Sequence, residues 1–261
     1  MSSVSSPESY RRSHAANIAP GFPLKMLNLA CGPMTHPAWV NVDFSAYTRL
    51  ARFKWLAPSL RRAGILNDIR YKRLMSLSGQ IICHDLRKGI PFPSNSVDVI
   101  YHSHFIEHLT RQDAVRFTLE CQRVLKPNGI IRIATPDFDY YVHRYVASSV
   151  EGERADIIVE IFNQFVWQEV GGTLEQNKFM QWVERAMGRT AESVGQLHKW
   201  IYNFHTLSEL LTEAGFYAVD RCEAHLSRIP SWESIGLDIV DGQVRKPESL
   251  FVEAVKLPRS G

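Results

Sequence analysis

The chain has 261 residues, is 45% hydrophobic and carries 30 basic against 27 acidic side chains, a formal charge of +3. That length and apolar content suffice for one substantial core with room for an insertion, and so small a charge excess gives no ground for a nucleic-acid partner. Cys31, Cys83, Cys121 and Cys222 lack metal-ligand spacing and read as reduced thiols, and no apolar run approaches the roughly 18 residues of a membrane span, so a soluble, unexported, cytoplasmic protein is expected.

Residues 1–22 are Ser-rich and aperiodic and read as a mobile N-terminal arm, leaving 23–261 as the domain. Met26 to Ala30 is a short apolar run with the length of a buried parallel strand, and it breaks into a turn at Cys31-Gly32-Pro33. Trp39 to Phe44 reads as the second strand and brings Asp43 to its carboxyl end, where open α/β sheets bind ligands and a carboxylate can accept both hydroxyls of a ribose. Only Cys31 to Ala38 separates the two strands, too few residues for a helical crossover. Eight extended residues span about 26 Å, enough for a bare loop to return along a five-residue strand. A helix-less crossover is therefore expected, with Arg or Lys side chains or loop amides replacing the missing helix N-terminus as an anion partner.

Ser45 can cap a helix carrying Ala46, Leu50, Phe53 and Leu56 until Pro58 stops it, and Ser59 can start a further short helix through Leu66. Residues 49–73 are strongly basic, which fits either a solvated face or a surface for an anionic substrate or membrane. Gln80 to Leu86 reads as the third strand, closing on Asp85, whose carboxylate suits an adenine amino group or a turn cap. Ser96 to Tyr101 is the fourth strand and runs into His102-Ser103-His104-Phe105-Ile106-Glu107-His108. At helical spacing His104 and His108 share a face. Three readings compete here, general base, a metal site made with Glu107, and structural side chain; isolated His pairs are common, so metal is the least expected, His104 stays open between base and structure, and His108 leans to structure.

Arg111 to Leu125 reads as an amphipathic helix with Val115, Leu119, Val124 and Leu125 on its apolar side, ending at Lys126-Pro127-Asn128-Gly129. Ile130 to Ala134 is the fifth strand, and Asp137 after it suits a turn. Residues from about 138 to 196 have helical periodicity and many aromatics, and read as an inserted cap over the strand ends with a hinge at Gly171-Gly172. Thr206 with Glu209 forms a capping-box pattern, before which His198 and Tyr202 are placed to face the pocket and His205 to pack. Phe216 to Glu223 and Leu250 to Lys256 close the sheet, and the long span between them is a candidate for acceptor contacts.

At Leu27-Asn28-Leu29-Ala30-Cys31-Gly32, Asp43, Asp85, the Ile90 to Ile100 passage and Arg123 to Gly129, the chain resembles class I S-adenosylmethionine-dependent methyltransferases. Such ordered matches over about 110 residues are more specific than one Gly-rich turn. The resemblance implies a doubly wound, mostly parallel, seven-stranded-type α/β sheet, the Rossmann-like methyltransferase fold, here with a helical insertion. It implies S-adenosyl-L-methionine as cofactor, held by Leu29, Ala30, Cys31, Gly32, Asp43, Phe44, Asp85, Leu86 and Ser103, with His104 and His198 as catalytic candidates. The expected activity is methyl transfer to a hydroxyl or amine of a small molecule.

The short crossover and the Arg245 to Ala254 pattern are similar to methyltransferases of bacterial surface-polysaccharide clusters, which points to a sugar or glycolipid acceptor. Two rivals come from other classes. A nicotinamide-dependent oxidoreductase would show Gly-x-Gly-x-x-Gly opening a helix, which this sequence lacks. A non-catalytic S-adenosylmethionine-binding protein would bind the cofactor and never turn it over.

Overall fold

The computed structural model describes residues 24–44, 48, 51, 53–78, 80–165 and 198–258. The N-terminal arm, the Ser45 cap and the Gly171-Gly172 hinge lie outside the described residues.

Strand β1 (Met26–Leu29) is followed by β2 (Val40–Asp43) with turns and no helix between them. Two buried asparagines make that crossover possible. Asn28 donates to the Met34 carbonyl at 2.7 Å and to the Asn41 side-chain oxygen at 3.0 Å. Asn41 accepts from the His36 amide at 3.1 Å and donates to the carbonyls of His36 (3.0 Å), Trp39 (3.0 Å) and Gln80 (3.2 Å). Loop groups that a helix would have paired internally are thus paired by side chains, as burial requires.

Helices α1 (Ala57–Arg62) and α2 (Asp68–Ser76) lead to β3 (Gln80–Cys83). Pro58 sits in the first turn of α1 rather than ending the helix before it, because its missing N–H is an orphan there in any case. Strand β4 (Val97–Ser103) runs two residues further than its sequence pattern suggests. The Thr110 hydroxyl caps α3 (Arg111–Val124) by accepting from the Asp113 amide at 3.2 Å. The buried face of α3 is Ala114, Phe117, Thr118, Cys121 and Val124, so Leu119 points to solvent, contrary to expectation.

Next come β5 (Leu125–Pro136), α4 (Phe138–Ala147) and α5 (Glu151–Phe165), the described part of the expected cap. Helix α6 (Phe204–Glu213) begins three residues before the expected start. Asn203 is its cap, and Thr206 is the third-position partner that accepts from the Asn203 amide at 3.2 Å. His205, expected to pack, is exposed and faces Glu209. Strand β6 (Phe216–Cys222), the short helix α7 (Trp232–Ile235), the ribbon β7 (Ile239–Val240) with β8 (Gln243–Val244), and β9 (Ser249–Lys256) complete the chain.

The seven-stranded sheet has the order β3-β2-β1-β4-β5-β9-β6, with β1 to β5 parallel and β9 antiparallel to both its neighbours. This is the doubly wound, mostly parallel α/β sheet that the sequence pattern leads one to expect. Because both faces are covered, successive β4 residues serve two cores. Val97 and Ile100 pack toward α3 and α6, whereas Val99 and Tyr101 pack with Trp39, Trp232 and Leu237. On the second face the buried Arg132 donates to Asp238 (2.9 Å) and Glu253 (2.8 Å) and lies 4.5 Å from the Trp232 ring. The order reverses between β1 and β4, and ligands of open α/β sheets bind at the carboxyl ends beside such a switch point.

Candidate active site

At that switch point the strand ends diverge around a cleft of about 290 Å³, lined by Asn28, Ala30 to Met34, Tyr101, Ser103, His104 and Arg245. The volume sits at the small end of ligand sites. Strands β1 and β4 both terminate in left-handed backbone, Ala30 at φ 51° and His104 at φ 51°. Non-glycine residues pay roughly 1–2 kcal/mol for this conformation. Gly32, also at φ 51°, has nothing within 4 Å of where a Cβ would stand, so its backbone is open to close approach by a ligand.

Asp43 ends β2 next to this turn, and its carboxylate accepts from the Gly32 amide at 3.0 Å. The Cys31 thiol is buried, and burial, with the Asp43 charge adding to it, pushes its pKa far up, so it is no nucleophile. Leu29, which is fully buried, is part of the core under the turn, so only its backbone is available. Phe44 directly follows β2.

Asp85 lies beyond β3 rather than in it. Its side chain caps a tight 3₁₀ turn, accepting from the Arg87 amide at 3.1 Å, and both its oxygens pair with the Arg87 guanidinium at 2.9 and 2.8 Å. The Arg87 hydrogen bond holds its pKa below the ordinary aspartate value despite partial burial. Since Asp43 pairs in register with Cys83, the two acids stand at neighbouring strand ends. Leu86 is buried among core residues and borders a second, smaller hollow with Leu109 and Phe117.

Beyond β4, the residues that a continuous helix would have aligned are split. His104 is in left-handed backbone, and a 3₁₀ turn covers only Ile106–His108, so His104 and His108 do not share a helical face. His104 Nε2 lies 2.9 Å from the Ser249 hydroxyl, and its Nδ1 lies 3.3 Å from Glu107 Oε1. Ser103 accepts from the Arg245 guanidinium at 2.5 Å. His198, 90 residues downstream of His108, packs ring to ring against it at 4.6 Å and sets Nε2 3.8 Å from Glu107. Burial pushes His198 down to about 4. Burial alone would raise Glu107, but contact with His104 and attraction to the three histidines prevail and hold it down to about 2. Tyr202, expected in the pocket, is instead fully buried in the core.

Several of these residues were not legible from the sequence. Arg245, a cation lining the cleft, comes from the long span before β9. Tyr101 and Asp238 support the cleft, the Tyr101 hydroxyl donating to Asp238 at 2.5 Å. Asp137 caps α4 and pairs with Arg221, in line with a turn-forming role.

A family model described as Methyltransferase domain matches residues 58–133. A protein of Mycolicibacterium smegmatis, described as a probable S-adenosylmethionine-dependent methyltransferase, is 42% identical over 57 residues, covering 20% of this chain and 21% of that protein. A Mycobacterium tuberculosis protein of like description is 44% identical over 48 residues, covering 18% and 17%. The matched stretch thus spans about a fifth of the length of these relatives. Among solved structures, an S-adenosylmethionine-dependent methyltransferase from Mesorhizobium loti aligns over 89% of this chain and 91% of its own, at 17% identity and a TM-score of 0.44. Among the described residues no helix is long and apolar enough to cross a membrane. The sheet is a doubly wound α/β sheet, and the stretch that builds β3, β4 and most of β5 matches the methyltransferase domain family model.

Proposed function

We propose that the chain is an S-adenosyl-L-methionine-dependent methyltransferase acting on a hydroxyl or amine of a small acceptor. The observation that carries this is the cleft at the β1/β4 switch point, with an open glycine turn on one wall, Asp43 behind it and Arg245 opposite. The donor set suits the cofactor: Asp43 for the ribose hydroxyls, the Leu29 to Gly32 backbone and Arg245 for the methionine portion, Phe44, Asp85 and Leu86 for the adenine, and Ser103 on the remaining wall. A bound S-adenosylmethionine supplies an already electrophilic methyl group. The protein's part is to align the acceptor and exclude water, which in favourable cases lowers a barrier by roughly 7–11 kcal/mol. His104 takes the proton of the acceptor, through the Ser249 hydroxyl that it holds at 2.9 Å. Such a base adds roughly 10²- to 10⁴-fold.

A sugar or glycolipid intermediate is the narrower acceptor reading, supported by the short crossover and the Arg245 to Ala254 pattern. Calorimetric titration with S-adenosylmethionine, S-adenosylhomocysteine and NAD tests the cofactor. Binding of both S-adenosyl compounds but not NAD is expected; binding of NAD alone would replace this reading with the oxidoreductase one. Labelled methyl transfer to nucleotide-linked and lipid-linked sugars then tests the acceptor, and binding without turnover on any acceptor would favour a sensor.

A further inference from the structure

Behind His104 lies a group of side chains, His198 among them, to which the proposed methyl transfer assigns no step. Glu107 is 1% exposed, and no hydrogen bond among the described residues reaches its Oε1. The donor atoms of Glu107, His108 and His198 all fall within 4.8 Å of one another. Their convergence is built by the backbone: the amides of Lys199 and Trp200 both donate to the Glu107 carbonyl, at 2.7 and 3.2 Å, which fixes His198 over the Glu107 carboxylate. On the carboxylate's other oxygen, the Thr135 hydroxyl donates to Oε2 at 3.1 Å and leaves Oε1 as the inward-facing donor.

We propose that Glu107, His108 and His198 form a binding site for a divalent transition cation of the zinc class, with the fourth position open to water or an oxygen of the acceptor. A buried carboxylate oxygen whose nearest ring nitrogens stand off at 3.3 and 3.8 Å is poorly compensated, and a cation removes that cost. The spacing fits. Zinc bonds of 2.0–2.2 Å in tetrahedral array put neighbouring donors about 3.3 Å apart. The separation of 3.8 Å between Glu107 Oε1 and His198 Nε2 needs to close by only about 0.5 Å. A direct charge-assisted hydrogen bond would be about 2.7–2.9 Å, shorter than either ring-nitrogen contact made by this oxygen. Two imidazoles and one carboxylate are borderline donors that suit zinc, iron(II) or cobalt(II), whereas magnesium and calcium want oxygen shells. The Thr135 hydrogen bond is the kind of outer support that orients a ligating carboxylate. His104, 3.3 Å from the same oxygen, links this group to the cleft.

The inference does not depend on methyl transfer, and its test uses no S-adenosyl ligand. The full chain, stripped with chelator, is titrated with zinc(II) by calorimetry and with cobalt(II) by visible absorption. Expected are one ion per chain and the visible bands of four-coordinate cobalt, with affinity falling more than about tenfold in both His108→Asn and His198→Asn. The surface variant His225→Asn, far along the chain and 45% exposed, should bind like the parent. Circular dichroism melts establish that each variant is folded. Absence of stoichiometric binding by the parent overturns the proposal, as does binding that survives in both folded His variants.

Discussion

The Asp43 carboxylate accepts a hydrogen bond from the Gly32 amide at 3.0 Å, tying the end of β2 to the turn that follows β1. One side chain thus shapes the glycine turn and offers a carboxylate beside it, so loss of Asp43 should be felt in ligand binding before it is felt in the core. Asp43→Ala is expected to weaken S-adenosylhomocysteine binding by about 1.5–3 kcal/mol, the scale of hydrogen bonds to a charged group. Calorimetry reads the change. Unaltered affinity in a folded variant would remove Asp43 from the site.

Arg245 lines the cleft beside the helix-less crossover, with its guanidinium on the Ser103 hydroxyl at 2.5 Å and on the Leu237 carbonyl at 3.1 Å. If it balances the carboxylate of the methionine portion, Arg245→Met should weaken S-adenosylhomocysteine binding by about 1.5–3 kcal/mol. Adenosine, which has no carboxylate, should bind the variant as it binds the parent. Equal losses for both ligands would instead indicate a collapsed cleft wall.

Asp85 is pulled two ways, by Arg87 and by any adenine amino group that reaches it. Arg87→Ala leaves the backbone cap at 3.1 Å in place and releases the second oxygen, which in the parent pairs at 2.8 Å. Adenosine should bind this variant about as well or several-fold better, and Asp85→Ala several-fold worse. Should Asp85→Ala bind adenosine normally, its work is confined to the turn.

Most of the sheet was legible because most strands carry a short apolar run, a signal local enough to read along the chain, although Lys126-Pro127-Asn128-Gly129, expected as a turn, lies within β5. The helix-less crossover was legible from chain length alone, since eight residues cannot hold a helix and return. What was not legible depends on residues distant in sequence. His104 and His108 looked like neighbours on a helix, but the left-handed backbone at His104 separates them, and the partner of His108 is His198. Arg245 likewise faces Ser103 across 142 positions, so no window of sequence contains both. Asp85 showed the opposite limit: a capping acid and a binding acid have the same sequence signature, and only the position of Arg87 reveals the cap.

Asn41 is the strut of that crossover, and it is wholly buried. Asn41→Leu keeps the volume but strands the groups of His36, Trp39, Gln80 and Asn28 that it satisfies. Each unsatisfied buried group costs about 1–3 kcal/mol, so a loss of at least about 3 kcal/mol is expected after partial relaxation. Urea denaturation at neutral pH measures it. A loss below about 1 kcal/mol would mean that the loop finds other partners.

His102 gives the fold a pH dependence of its own. It is fully buried on β4 between Phe105 and Phe117, and neither ring nitrogen finds a hydrogen-bond partner among the described residues. Burial pushes its pKa down to about 4, against about 6.5 when unfolded. Between those values the unfolded chain takes up a proton that the folded one refuses, so stability is fully present above about pH 6.5 and falls as pH drops toward 4. Over that window the contribution lost is about 3 kcal/mol. His102→Leu removes the titrating group and two unsatisfied nitrogens, so it should be at least as stable as the parent at pH 7 and lose less stability on acidification. Unfolding free energies from urea titrations at pH 7.0, 6.0, 5.0 and 4.5 make the comparison, and parallel pH profiles for parent and variant would show that another group carries the acid sensitivity.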